Sequence, residues 1–161
     1  MQTLLVPFRI DSTGWLIVAL CVLFEIAVRG FWLGLAAGSV LVASLLLHEV
    51  GHMVAAISLG VPVREFGLCL YGAYTRRASS GSQLKEILIA FAGPSVNFLL
   101  AFLCLMLPKI GIQLAFCNLT LFVVNLAPIP SSDGLRIVRS IWGNSRNGGA
   151  APIVEDPDST P

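Results

Sequence analysis

The sequence predicts an all-α polytopic membrane protein of about four transmembrane helices, with a short membrane-associated β-hairpin loop. Three observations lead there. Hydrophobic residues make up 56% of the 161 positions and charged residues only 12%, against about 25% charged in ordinary soluble domains. The mean hydropathy is +0.85. The apolar residues also fall into separate long segments divided by short charged or proline-containing breaks, as membrane spans do.

The first segment covers residues 14–28 and contains Glu25. The start at residues 1–9 followed by an apolar run resembles a secretory leader, yet no small-residue cleavage site follows, so this segment is expected to be a retained first span. Glu25 stands four residues before Arg29, the favourable order for a helical ion pair. The second segment, residues 31–60, is long enough to cross with tilt. After it, Glu65 to Arg77 is rich in β-formers and broken by Gly67 and Gly72, which predicts a hairpin and not a span. The third and fourth segments cover residues 87–107 and 110–127. As one helix, residues 110–142 would measure roughly 50 Å, longer than a bilayer core. Pro128 and Pro130 break it, and an amphipathic helix is expected from near Leu135. Residues 144–161 are rich in Gly, Pro, Ser and acids and are expected to be a disordered tail, leaving residues 1–143 as one intramembrane domain.

Charge sets an expected orientation. Eight of the ten basic residues fall on one side of the four-span arrangement, and only Arg29 and Lys109 on the other. Cytoplasmic loops carry the excess of Lys and Arg, so both termini and the loop of residues 61–86 are expected in the cytoplasm. A net charge of +1 without a basic stripe gives no footprint for nucleic acid. The four cysteines form no CxxC pair and read as small hydrophobes.

Within the second segment stands His48-Glu49-Val50-Gly51-His52, an HExxH string that uses both histidines of the chain. Residues four apart share a helix face, so both imidazoles can point at one metal ion. Glu49 lies beside His52 at i, i+3, within reach of a water on that ion. Two imidazole ligands and a carboxylate base are zinc-peptidase chemistry, and ionisable groups at membrane depth are costly enough to mark function. The string lies about ten residues before the helix end, roughly 15 Å along its axis, so the expected site is within the membrane and nearer the cytoplasmic face. Ser44, His48, Gly51, His52 and Ala55 form a small and polar stripe that should face other helices.

Catalytic zinc typically takes three protein ligands. Glu65 and Glu86 are candidates for the third, but both lie towards the interface. Asp133 follows the proline break, where irregular backbone must line a cavity or be buried in protein. Capping of the following helix is an equally open reading for it. Asn125 is a candidate donor to a tetrahedral oxyanion, or a cap for broken backbone. Asn97 reads as a packing residue, with substrate contact as the alternative.

HEVGH, then Phe91-Ala92-Gly93-Pro94-Ser95-Val96-Asn97, then Asn125-Leu126-Ala127-Pro128-Ile129-Pro130-Ser131-Ser132-Asp133-Gly134 together resemble the three signatures of the site-2 protease family of intramembrane zinc metallopeptidases. The resemblance covers residues 44–134. It implies Zn2+ held by His48, His52 and Asp133, with Glu49 as the base, a β-hairpin near the site, and a substrate or oxyanion role for Asn125. The family commonly has Leu where Ser132 stands here, and a packing change alone is expected from that. No PDZ-like insertion or nucleotide-sensing domain is seen, so substrate choice falls to the core or to a regulatory or adaptor membrane partner.

The expected function is cleavage of peptide bonds within or near transmembrane segments of other membrane proteins, in the lipid bilayer. Two other classes compete: a non-catalytic membrane scaffold or chaperone that keeps the fold, and a metal transporter using the same residues as a relay. Glu49 argues against the scaffold, since ligands alone need no base. The absence of an inverted repeat argues against the transporter.

Overall fold

A computed structural model describes residues 6–69 and 72–146. Along the chain it has β1 (Phe8–Ile10), α1 (Ser12–Arg29), α2 (Phe31–Ser58), β2 (Val63–Cys69), β3 (Gly72–Arg77), α3 (Gln83–Cys104), α4 (Gly111–Leu126) and α5 (Asp133–Arg146). The described residues are mostly helical. Helices α1, α2 and α3 are long and apolar enough to cross a membrane, and α4 is a shorter apolar helix. The helix α5 runs through Arg146, so residues 144–146 are helical; the rest of the expected tail lies outside the described residues.

Each boundary has a local cause. Asp11 caps α1, its carboxylate accepting from the Ser12 N–H at 2.7 Å. Gly30, at φ 81°, turns the chain from α1 into α2, a conformation that L side chains rarely adopt. At the other end of α2, the Lys85 ammonium donates to the Leu59 carbonyl at 2.7 Å, a cation placed at the negative end of a helix dipole. α1 packs along α2, α2 along α3, and α3 along both α4 and α5. The α1–α2 contact is close because Gly34 and Gly38 of α2 face Glu25, Ile26 and Val22 of α1, where a Cβ would collide with backbone. Glu25 and Arg29 form an ion pair one turn apart, and Glu25 is buried.

The three strands make one sheet in the order β1-β2-β3, with β1 parallel to β2 and β2 antiparallel to β3. Strand β1 lies outside the expected elements. Three residues carry too little pattern to read, and Phe8 to Ile10 become a strand only by pairing with Phe66 to Leu68. The antiparallel α1 and α2 place β1 and the sheet at the same helix ends. The sheet reaches α2 through β3, where the Thr75 hydroxyl donates to the Glu49 carbonyl at 3.3 Å.

Candidate metal centre

His48 and His52 lie one turn apart on α2, and only 6% and 3% of their surfaces are exposed. Their rings meet edge to face with centroids 4.7 Å apart, which brings the two Nε2 atoms to 3.1 Å. Asp133, 85 residues further along, sends Oδ2 to 3.2 Å from both Nε2 atoms. Three atoms therefore form a nearly equilateral triangle. Ligands held tetrahedrally by zinc at 2.0–2.2 Å sit about 3.3–3.6 Å from one another, so a few tenths of an ångström of spreading fits this donor set to zinc. The potential ligand atoms of His48, Glu49 and His52 all lie within 4.8 Å of one another, which puts the half-buried Glu49 carboxylate at the edge of the cluster.

The surroundings orient these groups. The Nδ1 of His52 is 2.7 Å from the Ile89 carbonyl of α3. A carbonyl only accepts, so that ring nitrogen carries the proton and Nε2 keeps its lone pair for a metal. Asn97, on the same helix, is fully buried with its amide 3.1 Å from His48 Nδ1. Helix α3 can approach this closely because position 93 is glycine: a Cβ there would collide with both imidazoles.

Asp133 reaches the histidines through an unusual segment. Ser131 adopts φ 68°, a left-handed conformation costly for a residue with a side chain. The Ser132 hydroxyl lies 2.6 Å from the Ala127 carbonyl and 2.8 Å from the Ile129 carbonyl, and it accepts the Leu135 N–H at 3.1 Å. Ser132 thus caps α5 and holds the proline-broken segment closed. The chain's departure from the family's usual Leu does more than alter packing, and it leaves the Asp133 carboxylate for the histidines. Gly134 permits the close return of the chain, since a Cβ there would overlap the Leu126 and Ala127 carbonyls. The second oxygen of Asp133 lies 3.6 Å from the Arg136 guanidinium.

The other acidic candidates are engaged elsewhere. Glu86 meets the Arg77 guanidinium with both oxygens, at 2.6 and 3.1 Å, and accepts the Ser80 N–H at 2.7 Å. Glu65 is 3.2 Å from Arg76 and 3.4 Å from the Tyr74 hydroxyl. Burial, together with the Glu65 carboxylate, raises the Tyr74 phenol above its ordinary pKa. Asn125 sits half-buried in the last turn of α4, upstream of the broken segment. Two contacts had no sequence signal. The Ile89 carbonyl is invisible because every residue has one, and the Ser132 cap depends on the path of the loop around it.

Residues 36–112 match Peptidase family M50, a stretch that holds both histidines and Asn97 and stops short of Asp133. The chain is 37% identical over 128 residues to the Mycobacterium tuberculosis protein Rip3, named as a zinc metalloprotease, covering 70% of this chain and 33% of that one. It is 29% identical over 171 residues to sll0528 of Synechocystis sp., also named as a zinc metalloprotease, covering 89% of this chain and 44% of that one. The chain spans about a third of the length of Rip3 and under half that of sll0528. The solved site-2 protease from Methanocaldococcus jannaschii superposes with a TM-score of 0.69 at 23% identity, covering 89% of this chain and 70% of that one, a likeness of fold. Together these likenesses show that residues 36–112 are similar to peptidase family M50 and that the chain has the fold of the solved site-2 protease, with His48, His52, Asn97 and Asp133 of the HEVGH, FAGPSVN and NLAPIPSSDG segments brought to one buried centre.

Proposed function

We propose that the protein is an intramembrane zinc metalloprotease that hydrolyses peptide bonds within or near transmembrane segments of other membrane proteins. The observation that carries this reading is the triangle of His48 Nε2, His52 Nε2 and Asp133 Oδ2, with edges of 3.1–3.2 Å, beside a carboxylate that is not one of its corners. Relatives named as zinc metalloproteases support the choice of metal and of reaction class.

Zinc held by these three side chains supplies Lewis acidity, which brings a water's pKa towards neutrality and polarises a carbonyl. Glu49 takes the proton from the attacking water and delivers it to the leaving amine, so the carboxylate is regenerated in each cycle. His52 is held in its ligating tautomer by the Ile89 carbonyl. The buried setting excludes bulk water and strengthens each electrostatic contact. Asn125, at the end of α4, is assigned to substrate or to the developing oxyanion.

A helical substrate shields its own amides and must unwind before cleavage. β3 is an outer strand of the sheet, and Thr75 ties it to α2 at Glu49. An unwound peptide added to that outer edge would lie along the strand that Thr75 ties to α2, with backbone hydrogen bonds giving affinity irrespective of side chains. The basic-residue bias puts the sheet end and both termini in the cytoplasm, with the site nearer that face. A regulatory or adaptor membrane partner would then govern which substrate arrives.

Purified protein in lipid vesicles with a tagged single-span substrate tests this reading. Wild type should cleave, while Glu49→Gln should retain zinc and substrate but lose activity by at least about a hundred- to ten-thousand-fold. Cleavage by Glu49→Gln near the wild-type rate would reject Glu49 as the base, and a zinc-loaded wild type that cleaves nothing would favour a scaffold or transporter.

A further inference from the structure

Both metal-facing histidines need their outer nitrogen protonated if Nε2 is to ligate, and only one of the two has an evident acceptor. His52 has the Ile89 carbonyl at 2.7 Å. His48 Nδ1 instead faces the amide nitrogen of Asn97 at 3.1 Å. That orientation sets a donor against a nitrogen that must itself donate. It also leaves Asn97 Oδ1 buried with no hydrogen-bond partner among the described residues. Asn97 is 0% exposed, so water does not meet that oxygen, and an unpaired buried acceptor is costly.

One rotation of the amide removes the donor clash. The oxygen and nitrogen of an Asn side chain are nearly the same in shape and are assigned from their partners. Exchanging them sets Oδ1 3.1 Å from His48 Nδ1 and moves the NH2 to the place the oxygen held. The interior of a helix bundle suits that exchange. Backbone N–H groups there are consumed by the helices, while each carbonyl keeps a second lone pair.

We propose that Asn97 is a positioning residue for the metal centre: its Oδ1 accepts the Nδ1–H of His48 and fixes the tautomer and ring orientation that present Nε2 to zinc. The inference rests on the zinc reading above. It makes the third helix the source of both outer contacts, Ile89 for His52 and Asn97 for His48, two turns apart on one face. It also gives the fully buried Asn97 a task that requires no contact with substrate.

Asp and Leu variants separate this from mere space filling. The carboxylate of Asn97→Asp can only accept, so it preserves the proposed hydrogen bond and removes any donation from the amide nitrogen to His48 Nδ1. Leu keeps the volume and removes both. Zinc affinity, read by competition with a chromogenic chelator on purified full-length protein, should fall ten- to a hundred-fold in Asn97→Leu and stay within a few-fold of wild type in Asn97→Asp. Equal loss in both variants overturns the proposal. A wild type that binds no zinc overturns the zinc reading along with it.

A second readout needs no variant. The chain has only two histidines, so 15N-histidine labelling gives four ring nitrogens. In zinc-loaded wild type both Nδ1 atoms should carry a proton and both Nε2 atoms should not. An unprotonated Nδ1 on His48, with zinc bound, contradicts the role assigned to Asn97.

Discussion

The Ser132 hydroxyl contacts three backbone groups, at Ala127, Ile129 and Leu135. Ser132→Ala should therefore cost about 0.5–2 kcal/mol, the usual loss of a helix N-cap, measured by denaturant titration in detergent. It should also weaken zinc binding, because the segment carrying Asp133 loses its tie; Ser132→Thr should recover most of both. Unchanged stability and zinc affinity in Ser132→Ala would show that the proline-broken segment holds its shape without the hydroxyl. At this scale the sequence was uneven in what it disclosed. His48, Glu49 and His52 were legible because the helical period is local. Asp133 was not, since no periodicity links positions 85 apart; the proline break hinted at it and the family resemblance supplied it. The ion pairs that occupy Glu65 and Glu86 depend on the fold of the 61–86 loop, which no local pattern in the sequence fixes.

Among the elements, the contact of α2 with α3 decides the site. Gly93 lets α3 approach the imidazoles, and Gly51 of α2 faces Ala92 and Val96 with no room for a Cβ. Gly93→Ala should preserve helix content by circular dichroism yet lose most of the zinc, because its methyl group would occupy ring positions. Full zinc retention in that variant would mean that the helices separate freely, contrary to the packing described. The helices themselves were readable from their apolar runs. The ends of α3 were less so, since it spans Gln83–Cys104 where the apolar run covers residues 87–107, whereas α4 ends at Leu126, just before the Pro128 break. Strand β1 was unreadable because it exists only through its partner.

For the whole molecule, α1 and α2 return the chain to the sheet end, and α3 starts there. On the orientation proposed from the basic-residue bias, a cysteine placed at Ser79 in a cysteine-free background should be labelled only from the cytoplasm, and one at Met106 only from outside. Labelling of Ser79→Cys from outside intact cells would invert the orientation. The zinc content of detergent-purified protein across a small set of variants tests the account most directly. Wild type, Glu49→Gln, Glu65→Ala and Glu86→Ala should each hold about one zinc per chain, as expected of a three-ligand set that leaves the fourth position to water. The His48→Ala/His52→Ala double variant and Asp133→Ala should lose it. Zinc retained in the double variant, or lost on changing Glu65 or Glu86 but not Asp133, would contradict a centre built from His48, His52 and Asp133.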